Sequence, residues 1–495
     1  MMKRPVFLFL VLIVVCTPLP ATFNAVVDVT PYFTFDNTPS GIEGLDWKQA
    51  SGLQVPSWWE TKQDFWYDAF SKPSFMNLGF TLDTDNVDLV VLVDFMQDIF
   101  VQIRDRGKLL TNVPFINGAN LDLTFPRVGY LDFTSSSGNL YLSLGRRQIK
   151  WGPGTYGMAL SDSQPYLDGL YLNVGSDIGG SWRFGYDFVA LAFKHYLDIG
   201  VVSDGAPQTT FAHRFTFGCD SFRISMTELN NIYGKVPTLV DCTPIALWHN
   251  NFQDDCSNVM VDLALEGRVG PVRVFGSLAL DDFLLSGEPN TNPTAIGASA
   301  GIEMHLVPGE AFGGRDFSNS LYAIKDETFH EEGGLNLSYE FYLCSTFMYN
   351  RAVKAGKFTS SFQVNSNVGP KKFYDEDAFF LGFRYGPSTR VHLFSARYET
   401  ARLGVTFSAQ LLSRGSYYID SVYDDDAKST NDPFIFTPPV TDVLTLDASA
   451  RYCPQPGLNL VATLSFTRDI THRTSVFKAC AGVEMAVCDI DWKNL

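Results

Sequence analysis

Four closely spaced residues, Arg146, Arg147, Lys150 and Trp151, are the part of this chain best equipped to hold a ligand. No acidic residue occurs from Phe133 to Ser161, so the three cations form a positive island. The surrounding chain is acidic: 37 Lys plus Arg against 54 Asp plus Glu give a formal charge of −17. A guanidinium fork takes carboxylate or phosphate oxygens two at a time, and an indole face can stack on a sugar ring. Gly152-Pro153-Gly154 follows as a turn that lets backbone approach a partner closely. Ser161, Asp162 and Tyr166, just downstream, extend the candidate ligand-binding set with a hydroxyl, a carboxylate and a phenol. The competing reading is structural. Arg and Lys of one strand would neutralise Asp and Glu of neighbouring strands and stiffen the fold.

Other patterns suggest chemistry but lack its context. Gly152 to Gly157 spells G-x-G-x-x-G, yet no helix or strand–helix–strand unit follows, as a dinucleotide site requires. Gly297-Ala298-Ser299-Ala300-Gly301 spells G-x-S-x-G inside an alternating run, not at a strand-to-helix elbow. A hydrolase using Ser299 and His305 is therefore a minor hypothesis, and the chain is read as a non-enzyme without a cofactor. The seven His show no zinc spacing, and the acidic stretch Asp420 to Asp432 lacks the glycine and terminal Glu of a calcium loop. Of eight Cys, Cys242 and Cys256 flank a polar segment and are a candidate disulfide. Cys480 and Cys488 lie on one extended run and cannot pair with each other.

The elements that must position these residues are strands. Leu403, Val405, Phe407, Ala409 and Leu411 alternate with Gly404, Thr406, Ser408 and Gln410. Leu444 to Tyr452, Leu458 to Thr467, Phe477 to Val487, Met76 to Asp83, Val259 to Arg268, Ile296 to Leu306 and Leu335 to Cys344 repeat the pattern. One face is apolar and the other small, polar or charged. Several runs reach the ~9–11 residues that a tilted transmembrane strand needs. Short turns at 269–271, 386–388 and 454–457 contrast with long polar segments at 230–258, 281–294, 345–377 and 413–442. Short turns on one side and long loops on the other are usual in transmembrane barrels. The long stretch 307–333 breaks this rule, because it falls where a short turn is expected. A secreted β-sandwich explains the alternation too, but less well the strand length and sparse charge.

Composition and the N-terminus agree with export. Charged residues make up 18% of the chain, against roughly 25% in soluble domains. Aromatics reach 14% and mean hydropathy is +0.00. That excludes a wholly disordered chain, and the negative charge disfavours nucleic acid as a partner. Lys3 and Arg4, an apolar run from Val6 to Val15 and the small residues Ala21 and Ala25 read as a signal peptide. Cys16 follows a bulky Val15, which disfavours lipidation there. No other stretch is apolar enough for a membrane helix; the closest, Val87 to Ile103, contains Asp88, Asp94 and Asp98.

The run Gly145-Arg146 … Trp151-Gly152-Pro153-Gly154, followed by Leu160-Ser161 and Pro165-Tyr166, resembles the Wzi-like family of capsule-assembly outer-membrane barrels. The resemblance covers about 30 residues. It implies an 18-stranded monomeric barrel with an N-terminal helical segment, holding polysaccharide at the cell surface. Together these readings predict an all-β, transmembrane antiparallel β-barrel of 16–18 strands in the bacterial outer membrane. Residues 1–25 are the expected signal peptide, 26–75 an N-terminal segment, partly helical or a plug, and 76–495 the barrel. Expected partners are outer-membrane lipid, a surface glycan or small solutes, and the barrel assembly machinery. A porin or substrate-selective channel is the alternative function.

Overall fold

The computed structural model describes residues 22–37, 61–97, 109–113, 127–192, 208–238, 240–241, 243, 248, 256–282, 293–326, 333–351, 353–365, 372–421 and 435–491. Alternation becomes strand throughout. The wall begins with β1, in two pieces (Thr22–Val29 and Tyr32–Asp36), β2 (Met76–Asp83), β3 (Val87–Phe95), β4 (Val128–Thr134), β5 (Leu140–Arg147) and β6 (Leu167–Gly179). It continues through β7 (Trp182–Ala192), β8 (Gln208–Cys219), β9 (Phe222–Tyr233), β10 (Ser257–Val269), β11 (Val272–Asp282) and β12 (Ala295–Gly309). It ends with β13 (Gly333–Cys344), β14 (Thr389–Glu399), β15 (Leu403–Arg414), β16 (Thr441–Gln455), β17 (Leu458–Asp469) and β18 (Thr474–Asp491).

Each strand pairs antiparallel with the next. β1 then pairs with both β2 and β18, which closes eighteen strands into a barrel without an edge. Both pieces of β1 lie along β18, from Asn24 opposite Asp491 to Asp36 opposite Lys478. Pro31, which has no amide hydrogen, marks the break between them. Among the described residues the wall begins at Thr22, within the stretch 1–25 expected as leader, and takes in the first residues of the expected N-terminal segment.

Leu263, Leu265, Val274, Leu278, Leu460 and Leu464 are each more than 40% exposed on the outer face. An outer face carrying exposed leucine and valine in this way suits a bilayer, not water. Cys480 and Cys488 both lie on β18, as the alternation implied.

The connections fall into two classes. Most turns at one end are short, such as 270–271 and 456–457, whereas the other end carries long segments. Among the described residues, three inserts join the connection between β5 and β6 inside the barrel. The first is helix α1 (Lys62–Ser71), which starts with a capping box between Thr61 and Asp64 and buries Trp66 against Phe362 at 4.7 Å. The second is the loop-end connection between β13 and β14, with an inner hairpin of Thr359–Asn365 and Lys372–Phe380. The third is the long connection after β12, which comes from the turn end. Its Ile324–Lys325 pairs in parallel with Ile149–Lys150, from the loop-end connection between β5 and β6. Two segments from opposite ends of the barrel therefore meet inside it.

Candidate functional site

Strand alternation separates the two adjacent arginines. Arg147 shares the lumen face of β5 with Tyr141 and Ser143, while Arg146 shares the outer face with Leu144, which is 47% exposed. Arg146 forms a two-bond pair with Asp168 of β6, Nε to Oδ1 at 2.6 Å and Nη2 to Oδ2 at 2.7 Å, and its guanidinium covers the Tyr166 ring at 4.0 Å. Arg147 donates to Asp132 at 2.9 Å and to the Tyr322 carbonyl at 2.6 Å, and lies 3.8 Å over the Tyr130 ring. The island's arginines therefore face intramolecular carboxylates, the neutralising arrangement considered from the sequence.

Lys150 behaves differently. It makes no ion pair among the described residues, and burial pulls its ammonium below the usual lysine range despite Asp162 and Glu340 nearby. A base held below its unfolded value costs stability while it stays charged, and this cost fades as pH rises toward the ordinary lysine value of about 10.4. Lys150→Met should therefore change the unfolding free energy by less than about 1 kcal/mol, or raise it. Urea titration of the folded barrel would show this. A loss of several kcal/mol would mean that Lys150 anchors the insert.

Trp151 is 2% exposed and packs under the Arg214 guanidinium at 4.7 Å. Ser161 donates to the Gly382 carbonyl at 2.5 Å, and Asp162 lies 4.0 Å from Lys325. The Gly-Pro-Gly turn sits against the wall. Thr155 donates both its amide, at 2.8 Å, and its hydroxyl, at 2.6 Å, to Glu340 of β13. The Tyr156 amide donates to the Tyr342 hydroxyl at 3.1 Å, and Tyr342 stacks on Phe383 at 5.1 Å. Around this turn, residues of the inserts pack with inward residues of the wall into one apolar core. Trp151, Met158, Leu160, Tyr349, Phe358, Phe380 and Phe383 are each 2% exposed or less.

Several residues that organise this centre were not singled out from the sequence. Arg214 of β8 is held between Asp187 of β7 at 2.8 Å and Asp326 of the turn-end insert at 2.5 Å. Asp326 also accepts the Gly152 amide at 2.8 Å. Burial opposes its charge, but Arg214, Arg223 and that amide outweigh it and hold the carboxyl below the usual range. Arg273 of β11 bridges Glu266 at 2.5 Å and Glu303 at 2.9 Å on the flanking strands. Charged residues on the polar face of an alternating strand were the available signal.

Other sequence candidates separate in space. Ser299 faces the lumen and meets the Ser277 hydroxyl at 3.0 Å, whereas His305 meets Asn336 at 2.7 Å. Six residues apart on one strand, they stand about 20 Å from each other and form no catalytic pair. Gly152 to Gly157 is a turn inside the barrel with no helix after it. Cys242 lies outside the described residues, as do His330 and Asp424 to Asp426.

No family model matches the chain, and no curated protein matches it. Solved structures do. Wzi, an outer-membrane protein of Escherichia coli involved in group 1 capsule assembly and described as a carbohydrate-binding β-barrel, shares 15% identity at a TM-score of 0.51. The match covers 93% of this chain and 84% of Wzi. The chain is an outer-membrane β-barrel. OccK5 (OpdH) of Pseudomonas aeruginosa is similar over 94% of this chain and 98% of its own, at 8% identity and a TM-score of 0.42. A BenF-like porin from Pseudomonas fluorescens is similar over 95% and 99%, at 9% identity and a TM-score of 0.42. At these identities the likeness is one of fold.

Proposed function

We propose that this barrel is plugged and holds carbohydrate at the outer surface of the cell. The observation that carries the reading is the apolar core inside the wall, with Trp151, Phe358, Phe380 and Phe383 buried where a diffusion pore holds water. The likeness in fold to a barrel described as carbohydrate-binding supports it. Of the candidate contacts, Arg146, Asp162 and Tyr166 remain partly exposed, and the proposed glycan contact falls on them. Trp151 and Ser161 are packed away from any such ligand.

In a planar bilayer the purified protein should give no steady conductance. Cells carrying Arg146→Ala with Tyr166→Ala should retain less surface polysaccharide at an unchanged level of folded barrel. Steady ohmic steps from the wild-type protein would overturn the plug. Undiminished retention would overturn the contact assignment.

The second reading, a substrate-selective channel, draws on one observation. A chamber of about 750 Å³ runs beside the plug along β14 to β18, between Arg451 and Glu484 at the turn end and Arg384 and Asp64 at the loop end. Under that reading solute flux is measurable in liposome swelling while the plug stays in place.

A further inference from the structure

The same chamber carries an inference independent of the surface-glycan reading. Its wall is a grid of small polar side chains at matched heights. Ser408, Asp447 and Ser465 are direct cross-strand neighbours on β15, β16 and β17. Thr406, Ser449 and Thr463 form the next row toward the turn end. Toward the loop end the grid meets Gln410, whose side-chain oxygen accepts from the hydroxyls of Tyr385 at 3.0 Å and Tyr156 at 3.2 Å. Below, Phe312 of the turn-end insert lines the chamber. That insert is tied to the wall by Asn459, which donates to the Arg315 carbonyl at 2.8 Å.

The carboxylates around the chamber are not equivalent. Asp64 meets Arg414 at 2.6 Å, Asp68 meets Lys478 at 3.1 Å, and Glu484 meets Arg451 at 3.2 Å. Asp447 stands exposed in the middle of the hydroxyl grid and has no cationic partner among the described residues. A lone carboxylate framed by hydroxyls, with aromatic groups above and below, matches a particular kind of ligand. Its positive charge would answer Asp447, its hydroxyls would exchange bonds with the serines and threonines, and an apolar ring face would meet Tyr385 or Phe312. The volume lies within the ~300–1,000 Å³ of small-molecule sites.

We propose that the chamber between β14 and β18 is a binding site for a small hydroxylated amine of the amino-sugar class, with Asp447 receiving the ammonium group. The test is calorimetric titration of the full-length, detergent-solubilised barrel with glucosamine, glucose and glucuronate. Glucosamine should bind saturably, glucose more weakly and glucuronate not at all. Asp447→Asn should weaken glucosamine by about tenfold, the size of one charge-assisted hydrogen bond, while leaving glucose unchanged. The substitution is isosteric on a lumen face, and a heat-modifiable band on a gel reports that the variant is folded. Absence of saturable glucosamine binding to the wild-type protein would overturn the proposal, and so would a folded Asp447→Asn barrel that binds glucosamine as before. Neither result depends on whether the lumen conducts or on what the outer surface binds.

Discussion

Arg214→Leu should cost the barrel about 3–5 kcal/mol of stability. Among the described residues, Arg214 is the only cation within ion-pair distance of both Asp187 and Asp326, and the side chains of all three are at most 12% exposed. Removing it strands two carboxylates in a poorly hydrated interior. Asp187 retains the hydroxyl of Tyr171 at 2.5 Å and the amide of Asn173 at 2.7 Å, and Asp326 retains the Gly152 amide. None of these donors carries a positive charge. The leucine also withdraws the guanidinium from the Trp151 ring. Arg214→Lys restores charge but not the fork that reaches Nε to one carboxylate and Nη1 to the other, so it should rescue only part of the loss.

The pH dependence follows from the same clamp. Asp326 is held below its ordinary carboxylate value, so its contribution is present above about pH 4 and is lost as pH falls through the depressed value. In Arg214→Leu its proton affinity rises, and the fall in stability should begin at a higher pH than in the wild type. Urea titration at neutral and acid pH measures both effects. A variant within about 1 kcal/mol of wild type, instead of the ~3–5 kcal/mol loss expected, would show that the clamp does not hold the inserts together.

The wall was legible because a barrel in lipid separates its two faces chemically. β15 could be read directly from Leu403, Val405 and Phe407 against Thr406, Ser408 and Gln410, and Val405 and Phe407 are indeed exposed outward. The first strand was harder. Its short pieces are split at Pro31, and its start overlaps a stretch that reads as leader. The inserts were the least legible part. Phe347 and Phe358 are fully buried, yet they sit in 345–377, a segment that reads from the sequence as a long polar loop. Their burial depends on partners far away in sequence, as does the contact of Thr155 with Glu340. No local period encodes such pairs. The division of Arg146 from Arg147, by contrast, was implicit in the alternation: neighbours on a strand point to opposite faces, so the island could not act as one site.

Gly154→Val should turn a silent barrel into a conducting one. A side chain at this position has no room: its first carbon would come 2.5 Å from the Tyr342 hydroxyl, 3.0 Å from Glu340 and 3.2 Å from the Phe275 ring. The tyrosine cannot retreat cheaply. It is fully buried, stacked on Phe383, and its hydroxyl is shared between Glu340 and the Tyr156 amide. Glu340 is fixed in turn by both donors of Thr155. The backbone turn must therefore move away from β13. Gly152, two residues earlier at φ +108°, constrains the turn further, because only glycine takes that conformation readily. Overpacking of this kind costs about 1–3 kcal/mol. Moving the turn weakens the Thr155 bonds to Glu340, whereas the neighbouring wall pairings, β12 with β13 and β5 with β6, use no residue of the turn. The expected protein keeps its heat-modifiable folded band and shows steady current steps, with Gly154→Ala giving fewer or smaller ones. A folded Gly154→Val barrel that remained silent would mean that the Gly-Pro-Gly turn is not what closes this side of the lumen.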